Sequence, residues 1–323
     1  WKKILLFSMP LMASQLLQVL FNMADVAVIG NFSSSLALGS VGSTTILVTL
    51  FTGVLIGMGS GVNVRVAQFL GAKQKRDTTE TVHTSFILCT LAGIIIAVAC
   101  FVLARPMLTL IHTKDELIDG AVLYFRIYAL GMPALGIFNF GNAVLSAEGD
   151  TGRPLVYLTC AGIVNVILNL VFVIVCGMSV DGVALASIIS QYISAFLVLF
   201  RMAKDKSECG LRPKLIRLYP GKVKSVLMLG IPAGLQNAIF AVANLFIQSA
   251  VNSFDHVMVE GNSAAANSDA IIYNVMAAFY TACSTFMGQN LGAGKRRRVL
   301  KSYLVSLCYS FVAGAVLGLL LVA

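Results

Sequence analysis

Charge is what this sequence has least of. Of its 323 residues, 11% are Asp, Glu, Lys or Arg, whereas a soluble domain carries roughly a quarter. So few charges cannot cover a water-facing surface, and an ordinary soluble domain is excluded. Histidine occurs three times. His83, His112 and His256 stand apart with no partner at ligand spacing, which removes a histidine-based metal centre. The seven cysteines (89, 100, 160, 176, 209, 283 and 308) show neither a pairing pattern nor metal spacing and read as small apolar fillers. No stretch alternates apolar and polar residues over about ten positions, so a membrane β-barrel is excluded. A nucleotide-phosphate loop is lacking as well. Gly57-Met58-Gly59-Ser60-Gly61 lies inside an apolar run, with no preceding strand and no Gly-Lys-Ser/Thr, and helix packing accounts for it.

What is present is hydrocarbon. The chain is 58% hydrophobic with a mean hydropathy of +0.88. Nine long apolar runs predict membrane-spanning helices over residues 4–29, 41–70, 83–104, 120–146, 155–177, 182–200, 225–252, 264–291 and 302–323. The first run is too long for a secretory leader and lacks a small-residue cleavage site.

The net charge of +9 is distributed rather than clustered on a nucleic-acid face. With the N-terminus inside, the inner segments hold Lys2 and Lys3, Lys73, Lys75, Arg76, Arg153, the eight basic residues from Arg201 to Lys224, and the five from Lys295 to Lys301. Arg105 and Lys114 fall outside, and Arg65 and Arg126 lie near span ends, where they can snorkel. This asymmetry fixes orientation by the positive-inside rule and argues against nucleic acid as a partner.

A repeat organises the chain. Gln68-Phe69-Leu70-Gly71-Ala72 runs into Lys73-Gln74-Lys75-Arg76, and 221 residues later Gln289-Asn290-Leu291-Gly292-Ala293 runs into Lys295-Arg296-Arg297-Arg298. Pro10 and Pro232 occupy matching places early in the first and seventh spans. The polar interruption after six spans divides the chain into an N-lobe (1–204), a basic linker (205–222) and a second lobe (223–323) with spans seven to nine. Six spans per copy make the repeat parallel, with a pseudo-twofold axis along the membrane normal. By the measure of the first lobe, the second is expected to continue for three more spans past Ala323.

Polar residues inside spans mark where partners or water must be. Gln15, Gln18, Asn22 and Asp25 recur at steps of three and four along one face of the first span. An ionised Asp at the membrane centre costs about 2.5–3.5 kcal/mol, so Asp25 is a candidate for taking up a proton or a Na⁺. The fourth span offers Asn139, Asn142 and Ser146; the fifth, Asn165 and Asn169; the sixth, Ser187, Ser190, Gln191 and Ser194. The seventh has Gln236, Asn237, Asn244, Gln248 and Asn252. At an offset of 222, Gln15 maps to Asn237 and Asn22 to Asn244, but Asp25 maps to Ile247. The polar row is duplicated and the acid is not, which places ion coupling in the first lobe.

The chain resembles the multidrug and toxic compound extrusion (MATE) transporters over its whole length. The resemblance rests on Pro10 with Ala24-Asp25-Val26-Ala27-Val28-Ile29-Gly30, on Gln68 to Ala72, on Ala147-Glu148-Gly149-Asp150-Thr151-Gly152-Arg153-Pro154, and on Gly288 to Gly294. It implies an all-α integral membrane protein of two six-helix lobes, with nine of twelve helices present here. It further implies a multi-pass bacterial plasma-membrane antiporter, monomeric in the bilayer. The implied activity is export of amphipathic or cationic drugs in exchange for H⁺ or Na⁺, without another cofactor. The ion-coupling set it implies is Asp25 with Asn165, Asn169 and Ser187, Ser187 standing where relatives carry Thr. Gln15, Gln18, Asn22, Asn139, Gln191, Asn237 and Asn244 are then the expected cavity residues. A flippase for lipid-linked saccharides, the main alternative, calls for basic residues in the cavity, and here they lie almost entirely in loops. A membrane-embedded enzyme would need a cluster of acids or histidines that the spans lack.

Overall fold

The computed structural model describes residues 1–251 and 256–322, and every regular element among them is helical. In order these are α1 (Lys2–Phe32), α2 (Ser35–Gly71), α3 (Lys75–Leu110), α4 (Asp115–Ala129) and α5 (Met132–Glu148). Then follow α6 (Gly152–Leu170), α7 (Val180–Lys204), α8 (Pro220–Val251), α9 (His256–Gly292) and α10 (Arg296–Val322). A π-turn, Val171–Val175, extends α6, and a single 3-10 turn, Pro213–Leu215, lies in the linker. Asn252, at the end of the seventh expected span, lies outside the described residues, as does the side chain of Gln248.

One expectation is corrected. The fourth span, read as one run over 120–146, is two helices: α4 and α5 meet at a bend of 46°. Pro133 has no N–H for the carbonyl of Ala129, and its ring crowds that carbonyl, so the ladder ends there and restarts after Gly131. With that pair counted as one, nine segments among the described residues are long and apolar enough to cross a bilayer.

The turn between α5 and α6 shows what the Ala147–Pro154 motif is for. Gly149 closes α5 at φ 102°, a conformation that strains any residue with a Cβ. Asp150 then accepts from the Arg153 amide at 3.2 Å and pairs with its guanidinium at 2.8 Å, starting α6. The Thr151 hydroxyl donates to the Phe7 carbonyl at 3.1 Å, pinning this turn to the beginning of α1.

The two copies of the repeat meet along α2, α8 and α9. A methyl added to Gly57 would overlap the backbone of Ala233 and Gly234, and one added to Gly61 would overlap that of Gly230. Backbones therefore touch at these glycines, the close approach that membrane helices use in place of a hydrophobic driving force. The repeated motif forms the end of this seam. Gly71 lies against the Gln289 carbonyl, and Gly292 lies against the Gln68 carbonyl. Each glycine meets the glutamine of the other copy, the exchange that a two-fold axis requires. Thr285 donates to the Oδ1 of Asn63 at 3.0 Å, a pair 222 positions apart, so equivalent residues of the two copies touch each other. Asn63 in turn donates to the Ala143 carbonyl at 3.0 Å, drawing in α5. At the same end, Ile4, Phe7 and Leu11 of α1 pack on Ala278, Ala282 and Val305.

Arg65 does not snorkel. Its Nε donates to the Ser225 carbonyl at 3.1 Å and its Nη1 to Gln68 Oε1 at 2.9 Å, joining α2 to the start of α8. The basic linker is strapped along α3 in a similar way. Lys75 pairs with Glu208 at 2.7 Å, and Asp77 pairs with Lys222. His83 holds the Thr79 carbonyl through Nδ1 at 2.7 Å and accepts the Arg212 amide at Nε2 at 3.0 Å. The Lys75 ammonium holds the Glu208 carboxyl below its usual range.

Candidate functional site

Away from the glycine seam, the polar residues of the first lobe converge. Asp25 comes from α1 seven residues before its end, Asn165 and Asn169 from consecutive turns of α6, and Ser187 from α7. Asn169 is fully buried, and Asn165 and Ser187 nearly so. The Nδ2 of Asn169 donates to Asp25 Oδ1 at 2.5 Å and, more weakly, to Asn165 Oδ1 at 3.3 Å. The Ser187 side chain lies close enough to the Asp25 carboxylate to stabilise its charge. Neutral amide and hydroxyl donors thus hold the carboxylate, and none of these partners is a cation.

Asn169 lies one residue before the end of α6 at Leu170, and the π-turn begins at Val171. Such a turn widens the backbone by one residue and is frequent beside functional groups. Here it begins two residues after the one that contacts the acid.

Two acceptors are left over. Asn169 Oδ1 and Gln191 Oε1 are buried without a hydrogen-bond partner among the described residues. Unpaired buried acceptors of this kind are costly, typically about 1–3 kcal/mol each, unless a ligand or water takes them up. Carboxylate, amide and hydroxyl oxygens are also the donor set that suits a proton or a hard cation, in contrast to thiolate or imidazole.

The sequence reading missed the aromatic side of the site. Tyr124 and Tyr128 of α4 stack with ring centroids 5.9 Å apart and planes at 21°. Both lie within electrostatic reach of Asp25, and the Gln191 side chain lies beside Tyr128. Their i, i+4 spacing in the fourth span was the available signal, since it places both rings on one helix face.

The expected cavity residues divide into several groups. Gln18 and Asn22 are exposed and Gln15 is half-buried, on the face of α1 that leads to Asp25. Asn244 is exposed on α8. Asn139 donates to its own helix, to the Leu135 carbonyl at 2.9 Å. Asn237 donates to the Gly53 carbonyl at 2.9 Å, which uses its amide to join α8 to α2. Gln191 stands beside the tyrosines, as described. No group of three or more His, Cys, Asp or Glu able to hold a metal occurs among the described residues.

Known proteins share this architecture. The MatE family model matches residues 10–171 and 232–323. A protein of Bacillus subtilis (strain 168) named Probable multidrug resistance protein YpnP is 32% identical, over 92% of this chain and 66% of its own length. A second from the same organism, Probable multidrug resistance protein YoeA, is 25% identical over 99% of this chain and 71% of its own. A solved structure described as the outward-facing conformation of a multidrug resistance MATE family transporter of the MOP superfamily superposes with a TM-score of 0.90. It is 21% identical, covering 97% of this chain and 69% of that one, a likeness of fold. The chain thus spans about two thirds of the length of the first of these curated relatives. With the repeat seam, the helical order and the family match in agreement, the chain belongs to the MatE family.

Proposed function

We propose that this protein exports small amphipathic or cationic compounds in exchange for H⁺ or Na⁺, and that Asp25 carries the coupling ion. The observation that carries this reading is the junction of Asp25 with Asn169 and Ser187 inside the first lobe, beside two unpartnered acceptor oxygens. The named activity of the B. subtilis relatives supports drugs as the substrate class.

The mechanism follows from differential affinity. A ligand shifts a two-state equilibrium only by as much as it prefers one state. The lobes touch from Asn237 and Gly53 down to Gln289 and Gly71, an arrangement that corresponds to a state closed at the basic-loop end. In it the ionised Asp25 accepts an ion from outside, and the neutralised carboxylate loosens its hold on the Asn169 and Ser187 donors. A cationic drug then re-enters the balance from the inner side. The exposed Gln18 and Asn22 offer polar contacts along that path without a fixed charge of their own, which suits compounds of varied shape. Among the described residues no Lys or Arg acts on Asp25, which weighs against a substrate recognised through phosphate. The positive charge of the loops supports a cytoplasmic N-terminus, and the reading is of a monomer in a bacterial plasma membrane.

Everted vesicles carrying the protein test the exchange. An imposed pH or Na⁺ gradient, applied separately, is expected to drive ethidium movement with one of the two ions and to stall when an ionophore collapses it. Ethidium movement that ignores both gradients would overturn the reading.

A further inference from the structure

The two copies of the repeat treat their basic turns in opposite ways. In the first copy Lys75 pairs with Glu208 at 2.7 Å, Arg76 with Glu80 at 2.8 Å, and Asp77 with Lys222. Carried 221 residues forward, Lys75 and Arg76 become Arg296 and Arg297, whereas Asp77 becomes Arg298 and Glu80 becomes Lys301. The acids that neutralise the first turn are replaced by cations in the second. All of these residues of the second turn are exposed, and none pairs with a carboxylate among the described residues. They also occupy the opening turns of α10, where unpaired backbone N–H groups favour negative charge and oppose more positive charge. The first turn of α3 holds Asp77, and that of α10 holds no acid.

This uncompensated charge borders an open hollow of 810 Å³ whose lining comes wholly from residues 295–304, Arg296, Arg297, Arg298 and Lys301 among them. Leu300 and Leu304, both exposed and one turn apart, continue its wall down α10. Because α10 is itself long and apolar enough to span a bilayer, the cations lie at its headgroup-level end and the leucines point along its hydrocarbon portion. Lys295 borders both this hollow and a separate 450 Å³ cavity that holds Glu148. A soluble anion would use only the cations. A ligand with an anionic head and acyl chains uses the cations and the wall together.

We propose that the start of α10 binds an anionic glycerophospholipid, its phosphate against Arg297, Arg298 and Lys301 and an acyl chain along Leu300 and Leu304. Each basic residue near an anionic headgroup adds roughly fivefold in affinity before screening. Three together give a preference over a zwitterionic lipid of at least about tenfold after salt is allowed for.

Native mass spectrometry of the purified protein tests this, titrating dioleoyl phosphatidylglycerol against dioleoyl phosphatidylcholine. The wild type is expected to retain phosphatidylglycerol preferentially. The triple variant Arg297→Gln/Arg298→Gln/Lys301→Gln is expected to lose that preference, and Arg297→Lys/Arg298→Lys to keep most of it. Lys75→Gln/Arg76→Gln, in the neutralised first copy, is expected to leave it unchanged. Equal retention of the two lipids by the wild type would overturn the proposal, as would an undiminished preference in the glutamine variant. Displacement of the lipid by inorganic phosphate or poly-glutamate at matching concentration would also overturn it, assigning the site to a soluble anion or an acidic protein.

Discussion

Asp25→Asn is expected to reduce ion-driven ethidium efflux to the vesicle background while the protein still inserts and folds. The two side chains have the same shape, and the asparagine Oδ1 can still accept from Asn169 Nδ2 as Asp25 does at 2.5 Å. What disappears is the change of charge. An asparagine neither gains a proton nor balances a Na⁺, so the two facing states no longer differ in their affinity for the ion, and the gradient has nothing to act on. The equivalent position in the second copy is Ile247, which cannot take over the charge change. Efflux in everted vesicles, normalised to protein in the membrane, measures the effect. Undiminished efflux would remove Asp25 from the mechanism.

The second large effect is steric. Gly57→Val is expected to force α2 and α8 apart, because the added carbons fall on the backbone of Ala233 and Gly234, which cannot rotate away as a side-chain tip can. Overpacking of a tight contact typically destabilises by about 1–3 kcal/mol, and a backbone clash lies at or above the upper end. The same surface contains its own control. A methyl on Gly42, also in α2, meets nothing within 4 Å, and replacing a mid-helix glycine by alanine stabilises by about 0.5–1 kcal/mol. Thermal denaturation in detergent is therefore expected to show a large loss for Gly57→Val and none for Gly42→Ala. Equal behaviour of the two variants would mean that the glycine seam does not hold the lobes together.

The sequence made some of this visible and hid the rest for physical reasons. Span number was legible because apolar runs of membrane length are unmistakable, but the bend at Gly131 and Pro133 was not, since hydropathy is blind to a missing backbone donor. The repeat was legible as Gln68-to-Ala72 and Gln289-to-Ala293, yet nothing in it announced that Gly71 would meet Gln289 and Gly292 would meet Gln68 across the lobes. Asp25 drew attention because an acid at that depth needs a reason, whereas Asn165 and Asn169 were joined to it by the family resemblance. Tyr124 and Tyr128 drew none, because a tyrosine in a span serves equally well as an interfacial anchor. The amides of the polar faces show the limit most directly. Asn22 and Asn237 belong to the same duplicated row, but Asn22 is exposed while Asn237 spends its donor on the Gly53 carbonyl. Periodicity assigns a face to each residue and cannot say whether water or a neighbouring helix covers it.

The central claim is that drug and ion exchange through the Asp25 junction. Its most direct test is ion release on drug binding, measured with the purified protein in weakly buffered detergent solution as tetraphenylphosphonium is added. The account predicts release of H⁺ or Na⁺ in step with drug binding by the wild type, and drug binding without release by Asp25→Asn. Equal release by the two proteins, or drug binding by the wild type with no release of either ion, would contradict it.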